Sequence, residues 1–335
     1  MDKTKTAKPT SIGTFCVAIA RLIESYGIDA RKMFTQAGLD IDLAGQSGAR
    51  VPIDKIAVIW TAAVKETDNS ALGLEISKFI EPTSYYSLSI SVWASNNLLE
   101  ALERFVRFVS VVTDGIELVL EEFDEYIELQ VINHTPERAF EGLDACLSTI
   151  LGTCREVSNP NFSPINVEME RPTPKDADKF TTFFRAPVNF GAERSSMRFR
   201  TIDLKRKLPH ANEDLAKHND NMSISYLAER SKHCWGTKVY VALLQLLPEG
   251  AVSERYVAEK LGVGKENLRR YLRKEATNYR QILNDTRKQL AIHYLHQKQL
   301  PLTEVSYLLG FSDSSNFSRA FKQWTGLTPG EYRRH

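Results

Sequence analysis

The chain has 335 residues, 42% of them hydrophobic and 25% charged, which is enough for two globular domains with cores of their own and unlike a disordered or fibrous composition. Forty-three basic residues against forty-two acidic ones give a net charge of +1, but residues 237–335 carry 16 Lys/Arg and 9 Asp/Glu, net +7, and the rest carries 27 against 33, net −6. No general affinity for polyanions follows from the total, and the split describes a basic module suited to phosphate, joined to an acidic partner with another task.

Residues 1–10 are polar, and the segment 12–23 that follows carries Arg21 and has no small-residue cleavage site, so it reads as an amphipathic helix rather than a secretory signal. Apolar spacing predicts helices over 12–26, 30–37 and 53–67, the last entered through Val51-Pro52 with Asp54 in its first turn, and a further one over 97–109. Residues 115–122 and 126–133 alternate apolar and charged side chains around Phe123-Asp124-Glu125, the pattern of a hairpin. A helix over 139–157, a strand over 166–170, a short helix over 174–184 and strand over 188–199 complete an α+β domain placed at residues 1–205. Tyr85, Tyr86 and Trp93, with Phe105 and Phe108, are candidates to line an apolar effector pocket, core packing being the alternative. Arg104 and Arg107 are candidates to meet an anionic effector, solvated helix positions being theirs. Lys205-Arg206-Lys207, Pro209 and the polar run 210–221 open a connector, 206–235.

The domain after it, 236–335, reads as all-α. A helix over 237–247 ends at Pro248-Glu249-Gly250; Ser253 caps a short helix to Leu261; Gly262-Val263-Gly264 turns the chain into a third helix over 265–274. Helix, short glycine turn, helix is the arrangement that presents one helix face to a DNA major groove. Leu268 and Leu272 point inward on the third helix, leaving Glu266, Arg269, Arg270 and Arg273 outside. The pattern then repeats after 48 residues: Thr303 caps a helix to Leu309, Gly310-Phe311-Ser312 turns, and a second candidate reading helix spans 314–324. With one extra residue in the second turn, Leu268, Arg270 and Leu272 correspond to Phe317, Arg319 and Phe321, inward, outward, inward in both copies. Phe311, Phe317, Phe321 and Trp324 are spaced for the inner face, so they read as core rather than base-stacking residues. A helix over 279–297 separates the copies and spans roughly 28 Å, against roughly 34 Å between successive major grooves on one face of the duplex. His293 and His296 on it lack a third ligand and read as surface residues.

Residues 238–334, above all Gly-Phe-Ser-Asp-Ser-Ser-Asn-Phe-Ser-Arg-Ala-Phe-Lys-Gln-Trp-Thr-Gly-Leu-Thr-Pro-Gly-Glu-Tyr-Arg from Gly310, resemble the AraC/XylS family of bacterial transcription regulators. The resemblance implies two helix-turn-helix subdomains joined by a central helix and contacting adjacent major grooves of double-stranded DNA. Carried over by position, Glu266, Arg269 and Arg270 would face bases in the first copy and Ser315, Asn316 and Arg319 in the second. Lys265, Arg273, Lys274 and Lys322 would meet phosphates. Gly264 stands where a Ser or Thr cap is common, and Glu266 is unusual against an anionic duplex, although it can accept from cytosine. Val51-Pro52, Trp60, Ala71-Leu72-Gly73-Leu74 and residues 105–114 are similar to the sensory domain of the OruR-like branch of that family. That likeness implies a small-molecule effector and homodimer formation, with RNA polymerase as a partner and activation as the output.

No Gly-x-Ser-x-Gly, phosphate-cradling Gly-Lys-Ser/Thr loop, dinucleotide fingerprint or His-Glu-x-x-His occurs, so neither enzyme, cofactor nor metal site is expected. The sharpest enzymatic alternative is an alkyl acceptor of the Ada type, which needs a cysteine cluster; Cys16, Cys146, Cys154 and Cys234 are scattered and read as small buried side chains in a reducing cytoplasm. A regulator controlled by a protein partner instead of a ligand is the other alternative. The longest apolar runs fall short of the roughly 20 residues needed to cross a bilayer, so no membrane partner is expected.

Overall fold

The computed structural model describes residues 8–46, 48–135, 139–230, 235–250, 252–275, 277–296 and 300–334, the side chains of Lys274, His296 and Arg334 excepted. The chain divides into two compact units, Met1–Asp220 and Asn221–His335.

The first unit is α+β. It opens with a two-stranded antiparallel pair, β1 (Thr10–Ile12) and β2 (Arg50–Pro52), enclosing helices α1 (Gly13–Glu24), α2 (Ala30–Gln36) and α3 (Ile41–Ala44). Asp29 caps α2 by accepting from the Lys32 amide. Helix α4 (Ile53–Thr67) follows β2 directly, and its apolar face closes with α1 and α2 on a cluster that buries Ile19, Leu22, Phe34, Ile59 and Trp60. A 3₁₀ segment, Leu72–Phe79, leads to α5 (Ser87–Trp93) and α6 (Leu98–Val112), whose N-cap Asn97 accepts from the Glu100 amide. Neither the 3₁₀ segment nor α5 was expected from the spacing, both being too short to establish a period.

The hairpin stands where alternation put it, as β3 (Ile116–Glu122) and β4 (Tyr126–Asn133), paired from Ile116↔Asn133 to Glu122↔Ile127. After α7 (Phe140–Val157) come β5 (Asn166–Met169), α8 (Ala177–Phe184), β6 (Val188–Phe190), β7 (Ser195–Arg200) and α9 (Thr201–Leu204). The sheet order is β3-β4-β7-β5-β6, antiparallel except between β5 and β6. The single strand expected over 188–199 is therefore two: a turn at Gly191 and Ala192, whose amides donate to Arg171 and Met169, lets β6 and β7 flank β5 on opposite sides.

The division between units also departs from the expected end of the first domain at 205. Past α9 the Leu208 amide donates to Asn96 and the Asn212 amide to Ala94, so the chain is bound back onto the α5–α6 turn. Asn212 then caps α10 (Glu213–Arg230), accepting from the Leu215 amide, and the division falls inside this helix. Its polar composition hides it from an apolar-period reading. Asp220 on α10 meets the Nε of Arg104 on α6 at 3.3 Å, and Arg104 also donates to Ser95 at 2.9 Å and Glu100 at 3.4 Å. Arg104 is only 3% exposed, so it is a buried structural cation rather than the solvated or effector-facing residue expected.

The second unit is helical: α11 (Trp235–Leu246), α12 (Glu254–Lys260), α13 (Lys265–Lys274), α14 (Tyr279–His296), α15 (Leu302–Leu308), α16 (Ser314–Thr325) and α17 (Pro329–Arg334). Ser253 caps α12 as expected, accepting from Tyr256. Thr303 does not cap α15, which starts two residues earlier than such a cap would place it, at Leu302 behind Pro301, and has no side-chain cap. His293 is buried, since Thr286, Leu290 and His293 share the inward stripe of α14.

The two copies end their first helices identically. Gly262 donates to Glu259 and Val263 to Ala258; 48 residues on, Gly310 donates to Tyr307 and Phe311 to Ser306. These paired bonds satisfy the last carbonyls of α12 and α15 and need a left-handed residue after the cap, which Gly262 (φ 69°) and Gly310 (φ 67°) supply. Leu268 and Leu272 in α13, and Phe317 and Phe321 in α16, are fully buried, so each following helix has one committed face.

Two stability outcomes follow from this packing. A Cβ at Gly262 would meet nothing within 4 Å, whereas one at Gly310 would lie 2.3 Å from Val252 Cγ2. Gly262→Ala should cost about 1 to 2 kcal/mol from backbone strain alone, and Gly310→Ala more, measured by denaturant unfolding; equal losses would count against this packing. Asp220→Ala should lower stability by about 3 kcal/mol, the low end for a broken buried pair because Glu100 remains beside Arg104.

Candidate nucleic-acid interface and ligand cavity

The exposed face of α13 carries Lys265, Glu266, Arg269, Arg270 and Arg273, opposite its buried leucines. They are not equivalent. The Arg269 guanidinium is held by the Glu254 carboxylate of α12, Nε to Oε1 at 2.9 Å and Nη2 to Oε2 at 2.7 Å, and reaches Glu266 at 3.3 Å. Lys265 lies 3.6 Å from the same Glu254. The hydrogen bond from Arg269 keeps the Glu254 carboxyl below its ordinary range, and Arg269 is raised in return. Arg269 thus clamps α12 to α13, where position alone had made it a base reader with an unoccupied fork. Arg270 is exposed, its guanidinium over the Tyr271 ring at 5.4 Å, and Arg273 is exposed beyond it. The phosphate role of Lys274 falls on a side chain outside the described residues. Gly264, as its residue type requires, gives α13 no side-chain cap.

Helix α16 is better braced. Asp313 caps it by accepting from the Asn316 amide at 2.7 Å, and that bond holds the Asp313 carboxyl below its ordinary range. The Asn316 side chain donates to Asp313 at 2.5 Å and to Ser312 at 3.2 Å, and its Oδ1 accepts from Arg319 Nη2 at 2.6 Å. Asp313, Asn316 and Arg319 therefore form a chain that aligns an exposed guanidinium, with Ser315 and Lys322 exposed on the same helix. Behind them the Phe317 and Phe321 rings pack with Phe311 and Tyr332, the core role expected of the aromatics.

Two residues that hold this frame were not singled out by the sequence. Arg287 of α14 donates to the carbonyls of Leu309 and Gly310, both at 2.8 Å, over the Phe311 ring at 4.3 Å; burial pulls its pKa down. It ties the central helix to the second turn. Its signal was available: it lies four residues after Leu283 and three before Leu290, a charge on an apolar stripe. Glu275, just after α13, accepts from the Trp235 and Gly236 amides at 2.8 and 2.7 Å, closing the start of α11.

In the first unit a cavity of about 140 Å³ lies among α1, α4, α6, α7 and the hairpin. Phe15, Trp60, Leu88, Phe105, Leu118 and Ile150 form much of its wall. Tyr85 also lines it, whereas Tyr86, Trp93, Arg104 and Arg107 do not. Trp93 is half-buried on α5, and Arg107 lies 5.6 Å from the centre of the Phe108 ring. The Trp60 indole nitrogen, the Tyr85 hydroxyl and the Thr149 hydroxyl are buried without a hydrogen-bond partner of good geometry, although Thr149 stands beside Tyr85. Cys146 is in the wall as well, and burial pushes its thiol and those of Cys16 and Cys154 up to about 12, which keeps them protonated and unreactive. Cys234 is outside the described residues. Among the described residues no cluster of His, Cys, Asp or Glu is arranged to hold a metal ion, and no helix is long and apolar enough to cross a membrane.

Comparison with known proteins covers both units. Residues 27–208 match the arabinose-binding domain of AraC transcription regulators, and residues 257–335 match a helix-turn-helix domain. The chain is 29% identical over 325 residues to the ornithine utilization regulator of Pseudomonas aeruginosa, covering 95% of each. It is 24% identical over 271 residues to the transcriptional regulator VqsM of the same organism, 78% of this chain and 83% of that one. Among solved structures, the transcriptional regulator CdpR from Pseudomonas aeruginosa aligns over 94% of this chain and 97% of its own with a TM-score of 0.45 at 18% identity. A cavity-bearing α+β unit followed by a duplicated helix-turn-helix unit, each matched by its own family model, makes this chain a member of the AraC family of transcription regulators.

Proposed function

We propose that this regulator reads duplex DNA with α13 and α16 and is switched by a small molecule bound in the cavity of its first unit. The observation that carries the reading is the repeated turn: two helices begin after equivalent glycine-ended helices, each with a buried apolar face and an exposed basic one. In the second copy Arg319, aligned by Asn316, is the base reader, with Ser315 and Asn316 beside it, and Lys322 meets phosphate. In the first copy Arg270 reads, Lys265, Arg273 and Lys274 meet phosphate, and Arg269 with Glu266 sets the pose of the helix unless DNA draws the fork away from Glu254.

The switch runs through α6. That helix gives Phe105, Val109 and Val112 to the cavity wall and Arg104 to the contact with Asp220 on α10. An effector that favours one placement of α6 thereby biases α10, the helix that spans the division between the units. Homodimer formation through the acidic first unit, a cytoplasmic location and activation through RNA polymerase complete the proposal. The name of the ornithine utilization regulator raises a diamino acid as one effector, and the family's arabinose-binding description raises a sugar.

Selection of bound sequences from a random duplex pool supplies an operator for the test. Arg319→Ala should then cost about 1 to 3 kcal/mol and relax preference at one or two base pairs, while Lys322→Ala weakens all sequences alike and lowers the salt slope by about 1. A uniform loss from both variants would count against α16 as a reading helix. In a reporter strain, activation predicts that deleting the chain silences the promoter next to the selected operator; raised expression there would mean repression.

A further inference from the structure

The cavity restricts what the effector can be. Its wall, among the described residues, contains no Asp, Glu, Lys or Arg. The arginines of flanking elements are engaged elsewhere: Arg50 donates to the carbonyls of Thr10 and Val111, and Arg104 to Ser95, Glu100 and Asp220. A zwitterion or carboxylate placed there would bury charge against aromatic and aliphatic carbon, at a cost of several kcal/mol or more without a counter-ion. A sugar would set five or six polar groups against few partners. Other polar residues of the wall are already bonded, buried Ser11 to the Val112 carbonyl and half-buried Asn133 to the amide and hydroxyl of Thr135. What remains is the deeply buried set, Trp60, Tyr85 and Thr149, whose polar atoms have no partner of good geometry, Thr149 standing beside the Tyr85 hydroxyl. Burial holds the Tyr85 phenol protonated, hence a donor. An enclosed apolar cavity of about 150 Å³ accommodates benzene, so the about 140 Å³ of this half-open one seats about six to nine non-hydrogen atoms of a ligand.

We infer that the cavity takes a neutral, largely apolar molecule the size of one substituted ring, carrying a hydrogen-bond acceptor to which the Tyr85 hydroxyl donates. The inference rests on the effector-controlled reading above and assigns the class of molecule, against both the diamino acid and the sugar.

Isothermal titration of the full chain with acetophenone, toluene, benzoate, L-arabinose and L-ornithine tests it. Acetophenone saturates one site per chain, toluene binds about tenfold more weakly, and the other three give no saturation at concentrations about tenfold higher. Tyr85→Phe removes the advantage of acetophenone over toluene and leaves toluene binding unchanged. Gly142 lines the cavity in the first turn of α7, and a Cβ there meets nothing within 4 Å. Gly142→Leu therefore fills the space without crowding the backbone, keeps the melting temperature, and weakens acetophenone about tenfold or more. Absence of acetophenone saturation, saturation by ornithine or arabinose, or unchanged affinity in folded Gly142→Leu would each overturn the assignment. Band shifts on the selected operator separate this from the underlying reading. Acetophenone that fills the site without changing operator affinity defeats effector control and leaves the site standing. A polar ligand that changes operator affinity while acetophenone is silent does the reverse.

Discussion

The DNA-reading half of this molecule depends on how two helices stop. The last carbonyls of α12 and α15 have no partner within their own helices, and the chain answers them with the next two amides through a left-handed glycine. That closure fixes the direction in which α13 and α16 leave. The buried leucines of one and phenylalanines of the other then fix which face each shows to solvent. Everything proposed about base and phosphate contacts presupposes those two constraints, because a side chain can address a groove only from a helix whose rotation is already set.

Buried and half-buried guanidinium groups do the remaining fastening in both units. Arg287 answers carbonyls at the end of α15, and Arg104 answers Ser95, Glu100 and Asp220. Both lie on the apolar stripe of their helices, where a long cation is costly unless its donors are met. Arg269 does a comparable task at the surface, pairing with Glu254 across two helices. Two arginines that position alone would assign to ligand, DNA or solvent, Arg104 and Arg269, are thus claimed by the protein itself, while Arg319 is aligned outward by Asn316 and Asp313. The difference lies in which neighbour stands within reach, a property of the folded chain.

The two units divide their chemistry accordingly. The second exposes charge along α13 and α16 and buries their apolar faces, as a protein that meets a charged polymer must. The first holds a half-open apolar cavity whose wall is assembled from segments as distant as Phe15 and Ile150, and it carries the contact that reaches α10. Helix α6 belongs to both the wall and that contact, which is the route by which the proposed effector would act on α10.

Much of this was legible beforehand. Period-two alternation located β3 and β4 to within a residue, apolar spacing located α4 and α13, and the repeat of glycine turns identified the DNA-binding module, because each of these is decided by neighbours a few residues apart. Other features were not. The splitting of residues 188–199 into β6 and β7 depends on the partner that β5 offers to each side; α10 has too weak an apolar stripe to be seen; and the fate of Arg104 was set by Asp220, more than a hundred residues away. The sequence by itself determined the local elements and the duplicated reading unit, since their signals are short-range. Only the tertiary structure decided which charges are buried and what chemistry the cavity accepts, since burial and pairing are fixed by residues that meet only when the chain is folded.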